Sequence, residues 1–253
     1  MYPFTVAVTT LASVFSGALA GLFLRNRLPD HHLREDSKDI VKLGAGVIAT
    51  MAALVLGLLV SSAKSSFDKM SDELTLVSSK VIQLDRVLVQ YGPEAKDVRG
   101  VLRHNFQAVV EGLADADKLQ LLKSQAAAAT GGVEDVQTAV GALVPGSDAQ
   151  RELRSQAVAL AEDVSAFRAL LLLQQHGSIS APLLVVVVVW LALIFMGFGL
   201  FSPRNGTVVV ALFLCALSVS GAIFLILEMD DPLEGMVRIS DVPMRSALSL
   251  ISK

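Results

Sequence analysis

The chain has 253 residues, 53% hydrophobic and only 18% charged, with a mean hydropathy of +0.59 and a formal net charge of −3. Soluble domains carry about 25% charged residues, so the composition excludes an ordinary water-soluble domain, and the dispersed charges of both signs exclude a basic nucleic-acid-binding face. The single cysteine, Cys215, excludes an internal disulfide and any CxxC metal or redox site.

The apolar excess is concentrated in four windows, Phe4–Leu24, Leu43–Ala63, Leu183–Phe201 and Thr207–Leu227, of 21, 21, 19 and 21 residues. None contains Asp, Glu, Lys, Arg or His, and a membrane-spanning helix needs roughly 20 apolar residues. Phe4–Leu24 lacks the basic flank of a signal peptide and is long for one, so it reads as a span. The expected fold class is therefore all-α, a multi-pass membrane protein with four transmembrane helices. A helical extramembrane bundle is inserted between spans two and three.

In chain order, residues 1–63 form the first hairpin, with RNRLPDHHLREDSKDIVK at 25–42 between its spans. Residues 64–181 are polar, with 12 basic and 15 acidic side chains, and read as the bundle. Phe67, Met70, Leu74, Val77, Val81, Leu84, Leu88 and Tyr91 are spaced alternately three and four apart, one helical seam suited to packing. No helix breaker separates Leu43 from Tyr91, so the second span continues as a rod until Gly92-Pro93 ends it. A second helix is expected near 94–113, a third near 117–129 and a short one near 133–143. A return helix carries Leu153, Ala157, Leu160, Val164, Phe167, Leu171 and Gln174. Residues 182–228 are the second hairpin, joined by SPRNG, and 229–253 are an amphipathic tail suited to the membrane surface or the bundle.

Lysine and arginine near span ends set orientation. Arg25, Arg27, Arg34, Lys38, Lys42 and Arg204 lie in the short loops, against Lys64, Lys69, Arg168 and Arg238 on the other side. Six against four favours both termini and the bundle outside the cytoplasm, in a bacterial inner membrane.

No enzyme constellation is present, and no catalytic, cofactor or metal site is expected. His31-His32, His104 and His176 lack companions at metal spacing. Ser61 and Lys64 have the serine–lysine spacing of some acylating enzymes, without the further motifs, and read as helix-end or interface residues. A charge inside a span marks proton relays and ion-coupled transport. All four spans lack one, which leaves a passive channel open, since a channel selects with backbone groups, terminal charges and apolar gates. On the second span Thr50, Gly57 and Ser61 share a face, with Leu54 as a constriction and Lys64 at the end. Close helix packing explains the small residues equally well. Arg204 reads as an anchor between spans three and four. Glu228, Asp230 and Asp231 read either as an acidic ring at a mouth or as a helix end in water. Gly17 with Gly21, and Ser218 with Ala222, are small pairs expected to pack helices.

Three phrases carry a family likeness: LGAGVIATMAALVLGLLVSSAKSSFD at 43–68, LDRVLVQYGPEAKDVR at 84–99 and FSPRNGTVVVALFLCALSVSGAIFLILEMDDPLEGMVRIS at 201–240. In this order they resemble the bestrophin-like family of bacterial membrane proteins, a membership that implies no established activity. The family is distantly similar to bestrophins, pentameric anion channels whose pore is lined by the second membrane helix. The resemblance thus implies a homo-oligomer, a pentamer if the likeness holds, with membrane lipids and inorganic ions as partners. Bestrophins keep their termini and large domain in the cytoplasm, opposite to the charge count above. The expected function is an oligomeric, passive ion channel with unresolved selectivity. The alternative is a non-conducting membrane scaffold or sensor whose bundle binds partners or passes a signal. In either case the seams are expected to pack partly between subunits, so that Leu84→Glu weakens assembly.

Overall fold

Apolar length decides the first level of the fold, and apolar periodicity the second. The structure, a computed structural model, describes residues 3–28, 35–114, 136–173, 179–203, 205–230 and 237–252. Among these residues every regular element is helical. They are α1 (Pro3–Leu24), α2 (Glu35–Tyr91), a 3-10 turn (Pro93–Ala95), α3 (Lys96–Ala114), α4 (Val136–Gly141), α5 (Asp148–Leu173), α6 (Ala181–Phe201), α7 (Gly206–Asp230) and α8 (Val242–Ile251). Helices α1, α2, α6 and α7 are long and apolar enough to cross a membrane. The chain is a multi-pass membrane protein with a helical bundle between its second and third spans. The helix expected at 117–129 lies outside the described residues.

Helix α2 has 57 residues, about 86 Å at 1.5 Å per residue. It begins eight residues before the apolar window, because EDSKDIVK contains no breaker and a helix need not end where hydrocarbon does. At its far end Gly92 takes φ 122°, a conformation that L residues rarely adopt, and Pro93 opens the next turn. Gln150 Nε2 donates to the Tyr91 carbonyl oxygen at 3.0 Å, satisfying one of the carbonyls that a helix end leaves without a partner.

The chain divides into two units. The first contains α1, α2 as far as Phe67, α6 and α7. Its closest contact is between α1 and α6, which run parallel. A Cβ at Gly17 would lie 2.5 Å from the Ala192 carbonyl oxygen, one at Gly21 2.0 Å from that of Met196, and one at Gly199 2.1 Å from that of Ala18. Only hydrogen side chains let these backbones meet, and in lipid such van der Waals contact substitutes for a hydrophobic driving force. Gly17 and Gly21 thus pack as expected, while Gly199 is their unforeseen counterpart. On α7 the packed small pair is Ala216 and Ser220, with the Ser220 hydroxyl donating to the Ala7 carbonyl oxygen. Ser218 and Ala222 are exposed, so the expected pair is displaced by two residues. The reason is that α7 is apolar all round, and periodicity alone does not choose its buried face.

The second unit contains α2 from Asp68, α3, α4, α5 and α8. Every seam residue from Met70 to Tyr91 is buried, with Val81, Leu84 and Leu88 fully so. Leu74, Val81, Leu84, Leu88 and Tyr91 share one core with Val98, Leu102 and Phe106 of α3, Val136 and Val140 of α4, and Ala157 and Ala161 of α5. Because Leu84 is enclosed by its own chain, Leu84→Glu strikes the bundle core rather than a contact between subunits. Among the described residues, ion pairs tie α2 to its neighbours. Arg99 donates from Nε and Nη2 to both Asp85 oxygens at 2.7 and 3.1 Å, and Lys80 meets Asp163 at 3.0 Å. Of the two settings expected for the C-terminal segment, α8 takes the bundle: Met244, Ala247 and Ile251 are buried in the same core. Arg103 donates to the Ser252 carbonyl oxygen just beyond it.

Candidate functional site

Within its apolar segment α2 is the least covered span. In its most apolar 18-residue stretch 11% of residues are buried, against 33%, 33% and 22% for α1, α6 and α7. Its packed face carries Ala52, Leu59 and Ala63. The opposite face carries Leu43, Val47, Thr50, Leu54, Gly57, Leu58 and Ser61, all exposed, and Leu54 is 70% exposed. These residues fall within about 60° of a common direction at 100° per residue. Four of the residues singled out from sequence, Thr50, Leu54, Gly57 and Ser61, therefore lie together on one uncovered stripe.

The polar atoms on this stripe are held differently. The Thr50 hydroxyl bonds back to the Gly46 and Val47 carbonyl oxygens at 3.2 and 2.7 Å, so its methyl group is the part presented outward. A Cβ at Gly57 would meet no atom within 4 Å, leaving open space beside Leu54. Lys64 lies at the end of the apolar segment, with its ammonium 5.6 Å from the centroid of the Phe67 ring, a cation–π distance.

The other candidate residues do not join this stripe. Glu228 and Asp230 are buried, with 4% and 9% of their surface exposed. Glu228 Oε2 accepts the Val237 N–H at 3.3 Å and Asp230 Oδ2 accepts that of Ile179 at 3.1 Å. Both carboxylates thus fasten the end of α7 to neighbouring backbone, in place of standing in water. Arg204 and Asp231 lie outside the described residues, as do His31, His32 and His176. His104 is exposed on α3. Among the described residues no group of three or more His, Cys, Asp or Glu side chains is placed to hold a metal ion.

Sequence reasoning missed Arg25. Its Nη1 donates to the carbonyl oxygen of Ser202, just past the end of α6, so this arginine of the first loop meets the negative end of the third span. Its signal is position alone, as the first charged side chain, directly after the uncharged Phe4–Leu24 window. Asn205 caps α7, its Oδ1 accepting the Val208 N–H at 2.9 Å.

No curated protein and no solved structure matches this chain. One family model does, the Bestrophin-like domain, over residues 12–244. That span takes in the second half of α1, the other three membrane helices whole and the bundle as far as the start of α8, and the chain belongs to the bestrophin-like family.

Proposed function

We propose that the protein is an oligomeric ion channel of the bacterial inner membrane, conducting passively along a path lined by α2. The observation that carries this reading is the uncovered stripe of α2 opposite Ala52, Leu59 and Ala63. A membrane helix packed on one face and bare along the other invites a symmetric assembly, in which equivalent stripes face one axis. The bestrophin likeness favours five copies. In such a ring Leu54 is the apolar constriction, gating by dewetting, while Thr50, Gly57 and Ser61 flank it with small residues and Lys64 adds positive charge at one end. Glu228 and Asp230 act as anchors of the second hairpin, and Arg204 as the anchor of its turn. The path belongs to the transmembrane hairpins, and α8 packs on the bundle. Six basic residues in the short loops against four opposite favour an orientation with the bundle and both termini outside the cytoplasm.

The test is flux through purified protein in liposomes, with chloride and potassium gradients imposed separately. We expect protein-dependent, selective flux that rises in Leu54→Ala, because a smaller side chain widens and wets the constriction. Absence of flux from folded, inserted protein across voltage, pH and calcium would return the reading to a scaffold or sensor.

A further inference from the structure

We infer that the membrane unit holds one phospholipid with an anionic headgroup, its acyl chain lying in a groove between α1, α2 and α6 and its phosphate meeting Arg25. The groove has a volume of about 280 Å³ and is lined by apolar residues, among them Leu24, Val41, Gly44, Ile194, Gly197 and Leu200. Sites for whole drug-sized ligands measure about 300–1,000 Å³, so this one suits a single hydrocarbon chain. Two glycines keep it open: a Cβ at Gly44 or Gly197 would meet nothing within 4 Å. Contrast Gly17, Gly21 and Gly199, where the missing side chain is filled by backbone.

Charge identifies the headgroup end. Leu24 adjoins Arg25, and Leu200 lies two residues before Ser202, whose carbonyl oxygen takes one Arg25 N–H. That bond pins the guanidinium at the loop end of the groove, and a guanidinium carries five N–H donors in a fixed fork suited to phosphate. Arg27 follows two residues later with its guanidinium 5.1 Å from the Phe23 ring centroid, adding a second positive charge in the same loop. An apolar groove between spans with basic residues at its interfacial end is a recognised form of lipid headgroup site. The site is separate from the Leu54 stripe, and its occupancy does not depend on conduction.

The test is native mass spectrometry of the purified protein supplied with phosphatidylglycerol or with phosphatidylethanolamine of the same acyl chains. We expect phosphatidylglycerol to be retained in preference. Gly44→Leu and Gly197→Leu, made separately, each fill the groove from a different helix and abolish that retention while thermal melting is kept. Arg25→Gln keeps the groove and weakens binding of phosphatidylglycerol about five-fold, the equivalent of one interfacial basic residue, and weakens that of phosphatidylethanolamine less, because its own ammonium already offsets the phosphate. Equal retention of the two lipids overturns the inference, as does undiminished retention in both leucine variants. A cysteine crosslink from Gly197→Cys to a second copy, showing that a neighbouring subunit fills the groove, overturns it too. Should either leucine variant fail to fold, the other and Arg25→Gln decide.

Discussion

Replacing Gly21 with alanine places a methyl carbon 2.0 Å from the Met196 carbonyl oxygen and 2.8 Å from the Leu200 nitrogen. Ordinary contact begins near 3.4 Å, and the obstacle is backbone, so α1 and α6 must part by about 1.4 Å. Overpacking of this kind costs about 1–3 kcal/mol. Alanine recovers about 0.8–1.0 kcal/mol of helix propensity. Separation also weakens dispersion along the whole seam, since even a gap of about 0.5–1 Å forfeits a quarter to a half of each contact. The expected net loss is about 2 kcal/mol, which lowers the melting temperature by about 4–8 °C in a chain of this size. The assay is thermal unfolding in detergent followed by the fluorescence of Trp190, the single tryptophan, which stands on α6 itself. Gly221→Ala is the matched control, because a Cβ there meets nothing within 4 Å. A Gly21→Ala protein that melts with or above the parent and the Gly221→Ala control would refute the reasoning.

The bundle offers two further tests. Leu84→Ala removes a fully buried side chain and should cost about 2–5 kcal/mol, seen as faster proteolysis between α2 and α5 with no change in subunit number. Arg99→Met leaves Asp85, 8% exposed, without its bidentate partner and should cost about 2 kcal/mol, reduced from the fully buried case because the Arg99 side chain is 32% exposed. Asp85→Asn in the same background should recover part of that loss, read as a double-mutant cycle of melting temperatures.

The four spans were legible because hydrocarbon thickness imposes a length and forbids charge, two properties that any stretch of sequence displays openly. The seam from Met70 to Tyr91 was legible for a different reason. Its intervening residues are polar, so the 3-4 spacing names a face and the structure buries that face. Within the spans this contrast vanishes. Val210, Leu214 and Leu217 are as apolar as Ala216 and Ile223, yet the first three are exposed or nearly so and the other two are fully buried. Only small size distinguished a packing face there, which worked for Gly17 and Gly21, failed for Ser218 and Ala222, and overlooked Gly199 in the GFG at 197–199. Glu228 and Asp230 were illegible in another way. An acidic side chain after an apolar run looks the same whether it faces water or receives an amide from a residue 51 positions earlier, as Asp230 does from Ile179. Of the proposed conduction stripe, the shared face of Thr50, Leu54, Gly57 and Ser61 follows from helical geometry alone. That the opposite face is the packed one required the fold.

Cysteine substitution along α2 probes that stripe. In a Cys215→Ala background, reconstituted in liposomes, Thr50→Cys, Leu54→Cys and Ser61→Cys are each exposed to a membrane-impermeant thiol reagent. The channel reading predicts that these three positions are modified and that flux changes as they react, whereas Leu59→Cys and Ala63→Cys on the packed face stay unmodified. Protection of all five positions, or modification without regard to face, would contradict it.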